Sequence, residues 1–499
     1  MTPSLLCETV TGRTTAELMR ARDAASEADM VELRLDGVSD VDVPRTLHGR
    51  RVPAIVTCRP VWEGGRFDGS EEERRKLLSQ AIAAGAEYVD IEWRAGFDDL
   101  LRVHATRVVV SSHDFKGTPR DICAQARAMR ATGAAVVKVA VTATRLSETL
   151  PLREIGKEGD AVVIGMGDAG LPTRLLASRF GSRWTYGGDG VAPGQVPGGR
   201  MIHEFRFRSI GADTALYGVV GDNVMHSISP AMHNAAFAAA NIDAVYVPLR
   251  AADFQDFLTF ADALGIAGAS ITVPFKVDAL NASTAADDIA KRVGAANTMR
   301  RPVGRVPRSG VVAAASGPAG TWEATNTDVA GFLEPLEAAL GLESLRGKRV
   351  SVLGAGGAAR AVIVALLSRD AHVTVHARRT EPAHVLATTF GVTAGPWPPA
   401  AQSWDVLVNC TPLGSASAPG VSPLPDGPFD GRLVYDLTYR RGESPLCRDA
   451  RLAGCAVLNG LPMLVAQAER QFAWWTGKRP ATGVMRAAAA AEKPSAAGL

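Results

Sequence analysis

The chain has 499 residues, 46% of them hydrophobic and 21% charged, with 54 Lys plus Arg against 52 Asp plus Glu. That length exceeds what one hydrophobic core serves and predicts two to four domains of an ordinary soluble globular protein. The balanced charge argues against a nucleic-acid or membrane-surface partner, and no segment reaches the ~20 apolar residues of a membrane helix.

Residues 1–212 alternate short β-rich apolar runs with Ala/Leu/Arg-rich helical stretches. The runs are Leu5–Val10, Met30–Leu35, Pro53–Cys58, Tyr88–Trp93, Arg107–Ser112, Ala135–Val141, Ala161–Met166 and Trp184–Gly187. Continuous apolar strands alternating with helices imply a parallel sheet covered on both faces. Eight such units predict a (β/α)8 barrel, with an open doubly wound sheet as the competing α/β architecture. Gly187–Gly199 reads as a loop, and a domain boundary is expected near Ala212.

Tyr217–Gly221 then begins a second α/β segment, 213–335, interrupted by an expected loop over Arg301–Gly320. A glycine-rich turn within Val350–Ala359, followed by strands His372–His376, Asp405–Asn409 and Leu433–Leu437, predicts a Rossmann-type domain over 336–457. Residues 458–482 are expected to return to the 213–335 domain, and 483–499 to form a frayed, disordered tail. The six cysteines (Cys7, Cys58, Cys123, Cys410, Cys447 and Cys455) include no C-x-x-C pair. Scattered thiols and the lack of a signal-peptide pattern predict a cytoplasmic protein.

Polar residues gather where the N-terminal runs end: Glu32, Arg34, Arg59, Glu92, His113, Lys138 and Arg174. In a barrel those ends share one mouth. Lys138, inside AAVVKVAV, must reach a polar cavity or lose its charge. Desolvation and neighbouring cations would lower its pKa and yield the neutral amine that forms a Schiff base. Taken singly, Lys138 could equally snorkel to water. His113 could be structural, and the arginines could form surface ion pairs.

The segments VELRLD (31–36), TCR (57–59), VDIE (89–92), SSHDF (111–115), VVKVA (136–140), GMGDAGLPTR (165–174) and APGQ (192–195) together resemble type I 3-dehydroquinate dehydratases across nearly all of residues 4–210. The resemblance implies that Lys138 forms the imine, His113 moves protons and Glu92 orients His113. It also implies that Glu32, Arg34, Arg59, Arg174 and Gln195 hold the substrate, with Ser182 a weaker candidate. Pro172–Thr173 depart from the family's usual short residue and Ser. No metal is implied, and no metal-ligand spacing is present.

GAGGAA (354–359) lies between the strand RVSVL and a helical run, the context a G-x-G-x-x-A nucleotide turn requires. Gly354 serves the tight turn, Gly356 admits a pyrophosphate and Ala359 allows close helix packing. The following strand ends in VHARRT, where Arg378 and Arg379 replace the acid expected of an NAD site and favour a 2′-phosphate, hence NADP(H).

HSISPAMHN (226–234), SITVPFK (270–276), GAANT (294–298), NTDVAGF (326–332), NCTPLG (409–414), YDLTY (435–439) and NGLPMLVAQAERQFAWWTG (459–477) resemble shikimate dehydrogenases over about residues 215–478. By that resemblance Ser227 and Ser229 bind the substrate carboxylate, while Thr272, Asn297, Asp328 and Gln467 bind its hydroxyls. Lys276 and Asp328 form the catalytic pair, and Tyr439 and Met463 lie near the nicotinamide. Ala355, Gly357, Ala358, Thr411 and Gly460 join the cofactor set. Ser270 stands where the family commonly has Asn, and Ala377 replaces the Asn of its Asn-Arg-Thr motif, which puts adenosine recognition in doubt.

FRFRSIGADTALYGVVGD (205–222) resembles the junction of fused dehydratase–dehydrogenases. The implied activity is conversion of 3-dehydroquinate to 3-dehydroshikimate and then to shikimate. A quinate dehydrogenase second half is the enzymatic rival, against which the two hydroxyls of Ser227 and Ser229 argue. A non-catalytic regulator is the rival of another class, and it predicts missing catalytic residues.

Overall fold

In the computed structural model, which describes residues 4–188, 194–302, 320–341, 344–415, 418–439 and 442–491, the eight N-terminal apolar runs become parallel strands. They are β1 (Leu5–Val10), β2 (Met30–Arg34), β3 (Ala54–Thr57), β4 (Tyr88–Glu92), β5 (Val108–Asp114), β6 (Val136–Thr142), β7 (Ala161–Met166) and β8 (Trp184–Gly187). Their order is β7-β6-β5-β4-β3-β2-β1-β8, and one bridge, Ala161 to Ser182, links the two ends. The sheet is thus a nearly closed eight-stranded barrel, and the open-sheet alternative falls.

Strand alternation sorts its side chains. Cys7, Met30, Ile55, Val109, Val136, Ala140, Val162, Ile164 and Trp184 pack together in one apolar cluster. Val31, Leu33, Val56, Val89 and Ile91 pack in another with Leu78 and Ile82 of the helix Glu71–Ala83. That helix is started by a reciprocal capping box between Ser70 and Glu73.

The residues group into two compact units, Met1–Pro230 with Asp243–Ile266, and Ala231–Ile242 with Ala267–Leu499. The first unit therefore runs past Ala212. It includes β9 (Ala215–Gly221) and β10 (Ala244–Arg250), which pair in parallel, and the helix Phe254–Leu264. Asp256 of that helix, only 2% exposed, accepts hydrogen bonds from the backbone N–H groups of Leu146 and Ser147 (both 2.9 Å) and the Ser147 hydroxyl (2.6 Å). Arg179 donates to the carbonyls of Ala212 and Thr214 at 2.7 and 3.2 Å.

In the second unit, β11 (Ile266–Ile271) pairs antiparallel with β13 (Thr298–Arg300). Strand β13 pairs antiparallel with β14 (Glu323–Thr325), which takes β12 (Ala285–Ala286) in parallel. The Rossmann-type sheet follows, with β15 (Arg349–Leu353), β16 (His372–His376), β17 (Thr393–Gly395), β18 (Val406–Asn409), β19 (Leu433–Asp436) and β20 (Ala456–Leu458). All its pairs are parallel, in the order β17-β16-β15-β18-β19-β20. Strand order reverses between β15 and β18, where such sheets open a ligand crevice at their carboxyl ends.

The helix Leu461–Thr476 packs against the helix Asp328–Leu340. A Cβ at Gly331 would lie 2.7 Å from Cβ of Gln467, so this close approach requires glycine.

The expected frayed tail is corrected in part. Val484–Ala491 is helical, and Met485 is fully buried. A run of alanines carries the best intrinsic helix propensity, and the methionine gives it an apolar anchor. Residues 492–499 lie outside the described residues, as do 189–193 of the Gly187–Gly199 loop and 303–319 of the Arg301–Gly320 loop. Gly198 and Gly199 begin a helix, Gly198–His203, rather than closing the loop. Among the described residues no helix is long and apolar enough to cross a membrane.

Replacing Asp256 by Ala leaves four donors, the N–H groups of Leu146, Ser147 and Ala252 and the Ser147 hydroxyl, without their acceptor. We expect a loss of about 3 kcal/mol in urea unfolding; an unchanged midpoint would show that these bonds do not hold the Phe254–Leu264 helix to the barrel.

Candidate active sites

Alternation along the barrel strands turns a set of polar residues inward beside the apolar ones. Lys138 shares its face of β6 with Val136 and Ala140, Glu32 shares that of β2 with Met30, and His113 shares that of β5 with Val109. They surround a cavity of about 140 Å³ lined also by Thr9, Arg34, Arg59, Glu63, Arg174, Tyr186 and Gln195.

Lys138 Nζ lies 3.0 Å from Asp90 Oδ2, 3.3 Å from Glu32 Oε1 and 4.3 Å from the centre of the Tyr186 ring. Arg59 reaches Asp90 at 3.0 Å, Glu92 at 2.7 Å and the Ser111 hydroxyl at 2.9 Å. Arg74, from the Glu71–Ala83 helix, closes on the other Glu92 oxygen and on Glu71. Arg59, Arg74 and Lys138 thus face Glu32, Asp90 and Glu92, all six buried. Burial pushes the Asp90 carboxyl upward, but Arg59 and Lys138 outweigh it and hold the group well below its ordinary range. Glu32, equally buried, is held below its ordinary value by Lys138 and Arg34. Burial wins at Glu92, whose carboxyl is raised despite Arg59.

The expected pairing of Glu92 with His113 is not what the fold makes. Glu92 is occupied by Arg59 and Arg74, and the carboxylate beside His113 is that of Glu63. Its Oε1 accepts the His113 backbone N–H at 2.8 Å and lies 3.4 Å from Nδ1. Glu63 stands in a tight turn after β3, folded back by Gly64 in the left-handed region and by Gly65, where a Cβ would fall 2.1 Å from the Arg59 carbonyl. The signal for it was the acid followed by two glycines in PVWEGG (60–65), the segment after TCR. Burial, then the charges of Arg59 and Lys138, push the His113 imidazole well below its ordinary value, so it is neutral and ready to accept a proton. Asp90 and Tyr186 also escaped the sequence reading.

Arg34 is held bidentately by Asp36 at 2.8 and 2.9 Å. Arg174 is buried, which lowers its guanidinium to about 10. Thr173, one of the two family departures, accepts from Gly165 N and donates to Gly170 O, both at 2.8 Å, so it ties the turn carrying Arg174. Gln195 donates to Thr9 Oγ1 at 3.2 Å at the cavity wall. Ser182 does not reach this cavity. Its hydroxyl accepts Val163 N–H at 3.0 Å and closes the seam between β7 and β8.

In the second unit Lys276 Nζ donates to Asp328 Oδ2 at 2.6 Å, and Asn297 Nδ2 donates to Asp328 Oδ1 at 2.8 Å. Gln467 Oε1 is 3.5 Å from Asn297 Nδ2, and Thr272 is half-buried in the turn between β11 and Lys276. In the first unit, Ser227 Oγ accepts Ser229 N–H at 3.2 Å, and Ser229 is buried.

The nucleotide turn has the features of a dinucleotide cradle. Gly354 has φ +101°, and a Cβ there would meet Thr411 at 3.1 Å. Nothing lies within 4 Å of a Cβ at Gly356, and no side chain caps the helix Gly357–Leu367, which includes Ala358 and the buried Ala359. Its first N–H groups suit a phosphate. A Cβ on Gly357 would touch the Lys276 stem at 3.3 Å, which sets that helix end beside the Lys276–Asp328 pair. Arg378 and Arg379 are exposed just after β16, with Ala377 half-buried before them. These residues fit NADP. Ala355 and Met463 pack in or against the core of this sheet, and Gly460 abuts the Leu437 carbonyl, where a Cβ would come within 2.2 Å. Tyr439 is 36% exposed beyond β19. Asp436, not foreseen, organises the loops here by accepting from Asn409, Thr438 and Ser444 side chains.

Fold and geometry define an α/β protein with an acid–base constellation in each compact unit. A family model described as type I 3-dehydroquinase matches residues 6–210. The shikimate dehydrogenase substrate binding domain matches 219–299, and the shikimate 5′-dehydrogenase C-terminal domain matches 460–490. The bifunctional 3-dehydroquinate dehydratase/shikimate dehydrogenase, chloroplastic, of Arabidopsis thaliana is 32% identical over 95% of this chain and 82% of its own length. Shikimate dehydrogenase (NADP(+)) of Methanocella arvoryzae is 36% identical over 55% of this chain and 97% of its own. The crystal structure of shikimate dehydrogenase from Aquifex aeolicus, 32% identical, covers 56% of this chain and 98% of its own, with a TM-score of 0.49. The chain belongs to the family of bifunctional 3-dehydroquinate dehydratase/shikimate dehydrogenases.

Imidazole NMR of the unliganded protein is expected to show His113 still neutral as pH falls through 6.5 and protonating only well below it. Because the unfolded chain binds that proton first, His113 makes stability decline as pH drops from 6.5 toward the lowered value. A His113 resonance titrating at or above 6.5 would contradict the electrostatic account.

Proposed function

We propose that the chain performs two consecutive reactions, dehydrating 3-dehydroquinate to 3-dehydroshikimate and reducing that product to shikimate with NADPH. The observation that carries the reading is that family membership coincides with two assembled proton-transfer sets, Lys138 with His113 and Glu63, and Lys276 with Asp328. A decayed regulator would lack one or both.

In the barrel, Lys138 Nζ attacks the ketone carbon and water leaves, giving an iminium. Glu32 and Asp90, at 3.3 and 3.0 Å, are acceptors for the proton the amine must shed. The iminium draws electrons from the adjacent carbon–hydrogen bond, and neutral His113 takes that proton. His113, now cationic, returns the proton to the departing β-hydroxyl, and hydrolysis of the imine frees product and lysine. Glu63 fixes the His113 backbone and ring, the role first given to Glu92, while Glu92 holds Arg59. Arg34, Arg59, Arg174, Glu32 and Gln195 bind the substrate's carboxylate and hydroxyls.

In the second unit Lys276, paired with Asp328, delivers or holds the proton at the carbonyl oxygen. Thr272, Asn297, Asp328 and Gln467 bind the substrate's hydroxyls; the carboxylate role of Ser227 and Ser229, which belong to the first unit, rests on the family resemblance. NADPH supplies the hydride. Gly354 to Ala358 would hold its pyrophosphate and Arg378 and Arg379 its 2′-phosphate, with Thr411, Tyr439, Gly460 and Met463 toward the nicotinamide. We assign 1–212 to the dehydratase, 213–335 with 458–482 to the substrate domain and 336–457 to the cofactor domain. Six unpaired cysteines suit a reducing, cytoplasmic setting.

Three measurements test this. Offered 3-dehydroquinate alone, the purified chain should consume NADPH steadily; no consumption with 3-dehydroquinate or 3-dehydroshikimate would refute the reading. Borohydride added with 3-dehydroquinate should fix an adduct on Lys138, and labelling elsewhere would sink the imine step. NADPH should be preferred over NADH, with the preference falling about tenfold or more in the double variant Arg378→Ala, Arg379→Ala; a preference untouched by that change would release the arginines from the role.

A further inference from the structure

Gln471 lies one helical turn beyond Gln467 on the Leu461–Thr476 helix, is 1% exposed, and belongs to none of the sets above. Its side chain makes hydrogen bonds at both ends. Nε2 donates to the Asn297 carbonyl at 3.3 Å and to Thr298 Oγ1 at 3.0 Å, and Oε1 accepts from Ser270 Oγ at 2.7 Å. A carbonyl can only accept, so the Asn297 carbonyl fixes which end of the Gln471 amide is nitrogen. Ser270, the residue that departs from the family's usual Asn, must then donate.

The same logic runs onward. Asn297 Oδ1 accepts the Thr327 backbone N–H at 2.8 Å, which can only donate, so the Asn297 amide is fixed as well. Thr298 Oγ1 receives Gln471, and its own hydrogen points to Asn297 Oδ1 at 2.8 Å. Asn297 Nδ2 is thereby left facing Asp328 Oδ1 at 2.8 Å, and Asp328 Oδ2 faces Lys276 at 2.6 Å. Every link from Ser270 to Lys276 is buried or half-buried, and each has one permitted direction.

We propose that Gln471 is a positioning residue of the dehydrogenase site, whose buried relay through Thr298 and Asn297 holds Asp328 as the acceptor that orients Lys276. The proposal rests on the functional reading above. The titratable groups bonded to the relay are Lys276, Asp328 and His233. His233 bonds the Gln471 side chain and is driven down to about 3 by burial, so it stays neutral over the working range.

The test uses Gln471→Glu and Gln471→Met in the full chain, with 3-dehydroshikimate reduction by NADPH followed across pH. Dehydratase activity in the same preparations reports that the chain is folded. A protonated glutamic acid can donate to the Asn297 carbonyl or Thr298 and still accept from Ser270, whereas its anion cannot donate. We therefore expect Gln471→Glu to lose about tenfold in kcat at neutral pH and to recover relative to wild type as pH falls. Gln471→Met should be slow at every pH, with KM for NADPH unchanged within about twofold. If Gln471→Met fails to fold, Thr298→Val cuts the same relay one step on and should displace the pH profile of kcat. Wild-type kcat in the Met and Val variants would overturn the proposal, as would equal, pH-independent loss in the Glu and Met variants, which marks simple packing. A wild-type chain that does not reduce 3-dehydroshikimate defeats the functional reading instead, before any variant is compared.

Discussion

A lysine inside an apolar barrel is tolerable only if its charge is answered, and the N-terminal half of the molecule is arranged around that demand. Lys138 at 4% exposure meets Glu32 and Asp90. Asp90 in turn needs Arg59, Arg59 needs Glu92, and Glu92 draws in Arg74 from the surrounding helical layer. Removing one partner of such a buried pair typically costs about 3–5 kcal/mol, because the survivor is left uncompensated. The mouth of the barrel is therefore held by electrostatics as much as by the apolar cluster beneath it. Burial, with the charges of Arg59 and Lys138, keeps His113 neutral, so one arrangement serves both folding and proton transfer.

The second site meets a related demand with neutral groups. One ion pair, Lys276 with Asp328, sits at the end of a directed chain of amides and hydroxyls, and the Gly331 contact between two helices brings Gln467 and Gln471 up to it. Neutral donors and acceptors cost less to bury than charges, provided every one is satisfied. The Rossmann-type sheet adds the reversal of strand order between β15 and β18, with Gly357 set against the Lys276 stem. Backbone proximity there depends on residues without side chains, which is why the turn is written in glycine and alanine.

Local order was readable from the chain itself. All eight barrel runs were legible, several to the residue, because a strand buried on both faces must be apolar throughout and β-branched residues favour it. The glycine-rich turn was legible for a similar reason: a φ near +101° admits few residue types at Gly354. Lys138 and His113 stood out because a polar residue in or at the end of an apolar run needs an explanation, whereas Lys276 and Asp328 were legible only through the motifs SITVPFK and NTDVAGF that carry the family resemblance. The helix Val484–Ala491 was misread because alanine signals helix without signalling what the helix packs on.

Partnership was another matter. Glu92 and Glu63 are both acids near the barrel mouth, and nothing in their spacing tells which one meets His113. That choice depended on β4 aiming Glu92 at Arg59 and Arg74 while a glycine-folded turn after β3 carried Glu63 across to β5. Ser182 likewise looked like a substrate contact until the barrel closed and its hydroxyl met the β7 backbone. The amino-acid sequence by itself determined the strands, the turns and the chemical types at the sites, since these follow from periodicity and backbone sterics. Tertiary structure alone decided which charges neutralise one another and which amide faces which hydroxyl, because those contacts join residues up to about a hundred or more positions apart, and only the closed barrel and the packed helices bring them within hydrogen-bond reach.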